Sequence, residues 1–450
     1  MHKDALRLRS LILTSAPKDA SGIKYRLQRC ALSYLNRKIA CSFLFRRILL
    51  HHRPMKLSPH SFDFSAIAPT MQSYVDRKIL SGVSSAVLHG QDLVHFETVG
   101  WADIENQIPL DKHHLFRVFS NSKLVTSIAI LQLVEEGLLK LDDRLEDYLP
   151  QMANRRVLLP GATRIDQTEP AKSSITIRQL LTHTSGLSYG LLDHGSTIYK
   201  AYVERKVLNA FEPLSELINV LEDLPLSFHP GTAWEYSIAT DVLSRVVEVV
   251  SGDSFDIYLH HKIFSPLGMN DTAFWLAPHK HHRLTVYYAG SDPMNVLNRD
   301  LKRLEKSPYP EAFLKPIPRF SGGGGLVSSM QDMIALMRSL MPGGHAVLRP
   351  ESIHLMMQNH LQPGWGIAFP SVGAVPGKGF GFGGAVTITP GINDPAHSEG
   401  EFEWGGIAGT HWWISPRHNI AGLLMTQRQM AFWHPYSFEF KRLVYQAMVK

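Results

Sequence analysis

Phe116-Arg-Val-Phe-Ser120-Asn-Ser-Lys123-Leu-Val-Thr-Ser-Ile-Ala-Ile-Leu-Gln-Leu-Val-Glu-Glu-Gly137 begins as an extended run and becomes a helix. Leu124, Val125, Ile128, Leu131 and Val134 recur at three- and four-residue steps, the period of a helix with one buried face. Gly137 stands where a left-handed C-terminal cap belongs. Ser120 then falls at the helix start with Lys123 one turn on. Residues three apart share a helix face, so the amine is expected within reach of the hydroxyl. A serine hydroxyl becomes a nucleophile only when a nearby base takes its proton. A lysine serves as that base when burial or neighbouring positive charge lowers its pKa. The positive end of the helix is expected to disfavour the extra proton on Lys123 and to favour the alkoxide developing on Ser120.

Ser-x-x-Lys alone is a short pattern. It recurs at Ser15/Lys18 and Ser21/Lys24, where no helix of this kind follows, and an N-cap serine before an exposed lysine spells the same letters. The rest of the chain has to decide.

The 450 residues are 44% hydrophobic and 19% charged, an ordinary globular composition with room for one large or two modest domains. No apolar run reaches the roughly 18 residues that a membrane-spanning helix needs. The net charge of +6 is unevenly placed, because residues 1–54 hold twelve Lys and Arg against two acids and the remainder is acidic overall. The basic balance therefore gives the body of the chain no nucleic acid partner. Cys30 and Cys41 both lie in the same segment, so the body has neither a disulfide framework nor a thiolate metal site. Residues 1–54 are read as a basic N-terminal extension, with three alternatives: a transit-like segment, a membrane-surface or partner-binding arm, or upstream sequence before a start at Met55. The abrupt change of charge and cysteine use at Met55 favours the last. The runs Leu11–Leu13 and Ile48–Leu50 are too short for a secretory h-region. With no clear signal, a cytoplasmic location is expected.

Working outward from the central helix, residues 63–80 read as another, with Phe64, Ile67, Met71, Tyr74, Val75 and Leu80 on one face. Val83–Leu88 and Leu93–Val99, joined by His89-Gly-Gln-Asp92, have the grammar of a β-hairpin. Leu138–Pro150 reads as a short helix stopped by Pro150, and 199–222 and 238–251 as further helices. Strand signals return with Phe320–Ser329, before a helix marked by Met330, Met333, Ile334, Met337 and Leu340. Gly364–Phe369, Gly379–Thr389, Glu403–Ile414 and Ile420–Gln427 read as successive strands, and 431–449 as a closing helix. The expected fold is α+β: an antiparallel sheet flanked by helices, with a largely helical subdomain. Residues 55–450 form one domain in this reading, its sheet part at about 60–135 and 315–450 and its helical part at about 136–314.

Five features, in order, carry a family resemblance over about residues 60–430: Ser120-Asn-Ser-Lys123, Leu181-Thr-His-Thr-Ser-Gly-Leu187, Pro230-Gly-Thr-Ala-Trp-Glu-Tyr236-Ser-Ile238, Gly322-Gly-Gly-Gly-Leu326 and Trp404-Gly405-Gly406. The chain resembles the serine β-lactamase and penicillin-binding-protein superfamily, and most its esterase branch, the family VIII carboxylesterases and related transesterases. By that resemblance Tyr236 matches the tyrosine of the Tyr-x-Asn motif and shuttles the proton between Ser120 and the leaving alcohol. The resemblance also places an oxyanion hole at the backbone N–H groups of Ser120 and Ile407.

Two departures bear on substrate. The Asn position is Ile238, so an amide that could bind a lactam side chain is missing. The Lys-Thr-Gly position is Trp404-Gly405-Gly406, so an aromatic wall replaces a cation that could grip a carboxylate. Both point to neutral, fairly apolar esters, with the acyl half against Trp404 and Phe380-Gly-Phe382. Gly186-Leu-Ser188-Tyr-Gly190 is a rival Gly-x-Ser-x-Gly match, but its flanks do not read as the strand, sharp turn and helix of a nucleophile elbow. His183 reads as a structural loop residue, and His279-Lys-His-His282 as a solvated loop that lacks metal-ligand partners. Gly322–Gly325 is followed by no Gly-Lys-Ser/Thr, so it reads as a tight strand entry rather than a phosphate loop.

The expected protein is a serine esterase with Ser120, Lys123 and Tyr236 as catalytic residues and Trp404, Gly405, Gly406 and Ile238 lining the substrate. It needs no metal or organic cofactor, and its partner is a small-molecule ester. The alternatives are a β-lactamase, a D-alanyl peptidase or an acyltransferase on the same fold, or a non-catalytic binding protein.

Overall fold

The computed structural model describes residues 62–449, apart from 192–194, 293, 294, 296, 371, 372, 433 and 434. The basic segment 1–54 lies outside the described residues.

An eight-stranded antiparallel sheet organises the fold. Its strands, labelled in chain order, are β1 (Gly82–His89), β2 (Asp92–Asp103), β3 (Ile108–Pro109), β4 (Lys378–Phe380), β5 (Ala385–Thr387), β6 (Phe402–Gly406), β7 (Thr410–Ser415) and β8 (Ile420–Met425). Their spatial order is β4-β5-β6-β7-β8-β1-β2-β3, so the last strand of the chain lies beside the first. The hairpin expected from His89-Gly-Gln-Asp92 is present: His89 pairs with Asp92, and Gly90 takes φ +56°, which a two-residue connection requires.

Alternation along each strand divides the apolar side chains between two cores. On one face, Val83, Val87, Trp413 and Leu424 pack against helix α1 (Ile67–Asp76) and the closing helix Pro435–Met448. On the other, Ala86, Leu88, Trp412 and Leu423 join the main core with helix α2 (Ser122–Glu135), helix α3 (Ala239–Ser251) and helix α4 (Met330–Leu340). Gly137 follows α2 at φ +73°, the left-handed conformation expected of it. Between β3 and β4 the chain is mostly helices and turns, with short two-stranded pairings. No helix among the described residues is long and apolar enough to cross a membrane.

The structure corrects several boundaries. The expected helix over Leu138–Pro150 is two 3-10 turns, Leu145–Asp147 and Pro150–Met152, and Pro150 opens the second rather than stopping the first. The expected 199–222 helix is two, Thr197–Glu204 and Leu214–Glu222, interrupted where Lys206 turns left-handed and Pro213 restarts the chain. Gly379–Thr389 and Glu403–Ile414, each read as one strand, are each a hairpin, β4–β5 and β6–β7. Gly383 and Gly409, at φ +95° and +78°, make the reversals inside apolar runs that read as continuous. Gly364–Phe369 contributes only Ala368–Phe369, paired with Gly373–Ala374.

Candidate active site

The segment Leu115–Arg117 pairs with Val327–Ser329, and the Val118 N–H donates to the Leu326 carbonyl at 3.1 Å. Gln427 brackets the same backbone, accepting from Arg117 N–H and donating to Arg117 C=O, both at 3.1 Å. So anchored, the chain turns through the 3-10 segment Phe119–Asn121 directly into α2. Phe119 adopts φ +43°, a strained conformation for a bulky residue, with its ring against Tyr287 and Phe313. This turn presents the partly exposed Ser120 at the mouth of α2.

Tyr236 arrives from the irregular stretch before α3, and its phenol donates to Ser120 Oγ at 2.8 Å. Lys123 is 1% exposed. Its nitrogen sits 4.6 Å from the centre of the Tyr236 ring and 5.3 Å from that of Tyr189. It donates to the Gly323 carbonyl at 2.5 Å. Its protonation departs from expectation. Burial works against the charge, but the phenols of Tyr189 and Tyr236 and the carboxylate of Asp241 outweigh it, and the Lys123 pKa is raised. The neighbours are acids rather than cations, which reverses the expected shift.

The glycine run at 322–325 explains how the amine is caged. A Cβ on Gly323 would run into Asp241 Oδ2 and come within 3.5 Å of Lys123 Nζ, and one on Gly322 would strike the Ser244 and Thr126 hydroxyls. Thr126 donates to Gly322 C=O at 3.0 Å, and Leu326 N–H donates to Ser122 Oγ at 3.2 Å. The run is therefore a close-packed turn against α2 and α3.

The edge of β6 completes the site. Trp404 is buried, with ring centres 5.5 Å from Tyr236, 5.2 Å from Phe380 and 5.3 Å from Phe432. Gly405 leaves room for His411, whose Nδ1 a Cβ would approach to 2.6 Å. Gly406 lies on the Val118 carbonyl, to which Thr410 Oγ1 also donates at 3.1 Å. Ile407 follows, partly exposed. Phe380 and Phe382 are fully buried. Ile238 is also buried, in the main core, and its N–H donates to Ser188 C=O at 3.0 Å.

Of the rival features, Ser188 is buried in a loop with no strand before it. Its backbone serves Ile238 and Tyr202, whose hydroxyl accepts from Ser188 N–H at 3.2 Å. The histidines at 279, 281 and 282 lie in the 3-10 turn Pro278–Arg283, and no metal-holding group of His, Cys, Asp or Glu occurs among the described residues. Tyr189 and Asp241 are site residues that sequence reasoning misses. Tyr189 was available only as part of the discounted Gly-x-Ser-x-Gly, and Asp241 as an acid on the first turn of α3.

Residues 67–434 match the family model described as Beta-lactamase. The chain is 30% identical over 386 residues to Esterase EstB of Burkholderia gladioli, covering 81% of this chain and 92% of that protein. It is 31% identical over 333 residues to Lovastatin esterase of Penicillium rubens, covering 68% of this chain and 77% of that protein. Among solved structures it is similar to EstCE1, a hydrolase with promiscuous acyltransferase activity, at TM-score 0.70 and 25% identity, covering 85% of this chain and 98% of that one.

Proposed function

The chain belongs to the Beta-lactamase family, and we propose that it is a serine hydrolase that cleaves neutral carboxylic esters through an acyl-enzyme on Ser120. One observation carries this reading: the Tyr236 phenol lies 2.8 Å from Ser120 Oγ, beside a buried Lys123. In the reactive form Tyr236 has given its own proton to solvent and stands as a phenolate beside the Lys123 ammonium; as Ser120 Oγ bonds to the ester carbonyl carbon, the serine proton passes to that phenolate oxygen. Lys123 acts as a fixed cation, offsetting the negative charge that Tyr236 carries while it serves as base. Its raised pKa argues against the role of free amine base. Collapse of the tetrahedral intermediate breaks the bond to the leaving alcohol, which takes the proton from Tyr236. Water then enters by the reverse route, giving up its proton to Tyr236, and the acid is released as Ser120 recovers its proton.

The N–H groups of Ser120 and Ile407 form the oxyanion hole in this proposal. The seating of Gly406 on the Val118 carbonyl supports it, since the same contact holds the end of β6 beside the serine turn. Trp404, Gly405 and Gly406 form the substrate wall. An indole where a cation would hold a carboxylate supports neutral, apolar acyl groups, as do Phe369 and Phe380 around it. Ile238 contributes by lacking an amide rather than by contact, being buried in the main core. Acyl transfer to a second alcohol is the runner-up reading. The aromatic side chains around Trp404 support it, and EstCE1 is described as having such activity.

The test is turnover of p-nitrophenyl esters and nitrocefin side by side for the parent, Ser120→Ala and Ser188→Ala, with mass mapping of the acylated residue. Ester turnover lost in Ser120→Ala alone, with the acyl group on Ser120, is expected. Loss confined to Ser188→Ala, or nitrocefin turnover without ester turnover, overturns the proposal.

A further inference from the structure

Tyr236 has no secondary structure of its own to hold it. Residues 233–237 belong to neither helix nor strand, so nothing in a regular hydrogen-bond ladder fixes where the phenol points. His183 supplies that missing support from both sides of Tyr236. Its carbonyl accepts from Glu235 N–H at 3.0 Å. Its Nδ1 accepts from Ser237 N–H at 3.2 Å and lies 2.9 Å from Ser237 Oγ. Its ring stands 5.0 Å from the Tyr236 ring, and 5.3 Å from that of Phe380 behind it.

The imidazole is 2% exposed, and the residue takes φ +57°, a conformation costly for anything but Gly, Asn or Asp. A residue held in that conformation at such burial is fixed by its surroundings. The preceding helix Ile177–Leu181 carries a complete capping box between Thr176 and Gln179, so the support is itself anchored. Because Nδ1 accepts from a backbone N–H, the ring proton sits on Nε2 and the ring is neutral. Burial and the Lys123 charge, which hold its pKa well below the usual histidine value, agree with that tautomer.

We propose that His183 is a positioning residue for the reaction: it touches no reacting atom, and it fixes the irregular 233–237 segment so that the Tyr236 phenol stays on Ser120. This rests on the reading of Tyr236 as the proton-transfer group.

Two substitutions separate ring from acceptor. His183→Phe keeps the packing on Tyr236 and removes the acceptor at the δ1 position. His183→Asn keeps an acceptor there, tolerates the left-handed backbone and removes the ring. If positioning is the role, His183→Phe lowers kcat for a p-nitrophenyl ester about 100-fold, the effect of a misplacement of about 1 Å, with KM within about two-fold. His183→Asn restores about ten-fold of that loss, roughly half of it in free energy. In a Tyr236→Phe background, His183→Phe costs nothing further, because residues acting through one group are non-additive. Ser237→Ala, which removes only the hydroxyl on the same nitrogen, is the milder variant and lowers kcat in the same direction. Thermal melts confirm folding. Equal losses in the Asn and Phe variants, or a full His183→Phe loss repeated in the Tyr236→Phe background, overturn the proposal. Unchanged kcat in His183→Phe, or in Ser237→Ala should His183→Phe not fold, also overturns it. A silent Tyr236→Phe sinks the catalytic reading itself and the positioning role with it, so the two failures are told apart.

Discussion

Gly406 lies so close to the carbonyl oxygen of Val118 that no side-chain carbon fits between them. Val118 immediately precedes the turn that carries Ser120, so this contact sets the gap between the serine and the end of β6 at Gly406, one residue before Ile407. A Gly406→Ala change must push β6 and the turn apart, since both atoms in the collision belong to backbone or to the buried Thr410. Ester kcat is expected to fall about 100-fold, in line with the loss of one oxyanion donor. A destabilisation of about 1–3 kcal/mol is expected by chemical denaturation. Normal kcat in the variant would detach Ile407 from the oxyanion hole.

Removing the phenol oxygen isolates the proton relay. Tyr236→Phe keeps the ring packed against Trp404 and Phe369. It should lower kcat by about 10²–10⁴, the usual contribution of a positioned acid–base group, with little change in KM or melting temperature. Pre-steady-state mixing should show acyl-enzyme formation itself slowed. A normal acylation burst followed by slow turnover would confine Tyr236 to deacylation.

Lys123→Met tests the charge rather than the shape. Methionine fills much of the same buried volume, but leaves the charge developing on Tyr236 without compensation. A kcat loss of about 10²–10³, typical of deleting one preorganised electrostatic partner, is expected. Because nearby acids raise the pKa of Lys123, its contribution to stability is complete below the unfolded lysine value and is lost as pH climbs past it. Parent and variant melts should therefore converge or cross only in strongly alkaline buffer. Near-parental rates in Lys123→Met would show that Tyr236 needs no cation.

A buried cluster of charged side chains gathers around Glu401 and Glu403 of the β6 segment. Lys378 bonds to Asp394 and Glu403, and Lys441, from the closing helix, bonds to Glu401 and Glu403. Two cations face three carboxyls, which leaves one carboxyl in excess. Glu401, fully buried, is the carboxyl that takes up the imbalance: burial pushes its pKa up. A group raised on folding stabilises fully below its unfolded pKa and loses that contribution as pH rises through the folded value. The stability of the parent relative to Glu401→Gln should thus decline as pH rises above the unfolded glutamate value of 4.5. Urea denaturation of both proteins at pH 5 and pH 8 measures it. An identical difference at the two pH values would place the shared proton elsewhere in the cluster.

The α2 helix, its Gly137 cap and the first hairpin are legible in sequence because each depends on residues within about one or two turns of one another. The β4–β5 and β6–β7 hairpins are not. Their reversals at Gly383 and Gly409 are buried among apolar residues, so no polar turn letters announce them. In the site, Ser120 and Lys123 can be read from spacing, whereas Tyr236 lies 116 residues from its partner and enters only through family resemblance. The charge state of Lys123 is misread for the same reason. Helix position predicts a lowered pKa, but Tyr189 and Asp241, brought in from other segments, decide it. His183 looks structural in sequence and is structural in the fold; what spacing cannot reveal is that the structure it holds is the loop of Tyr236.

In the sheet, β1 has two neighbours: β2, a few residues away, and β8, near the end of the chain. During synthesis the first hairpin must wait with one ladder of backbone N–H and C=O groups unmatched until the final strands emerge from the ribosome. On the proposed mechanism, Ser120 is made early and lacks its acyl-binding wall through that interval, since β6 is among the last segments to be translated.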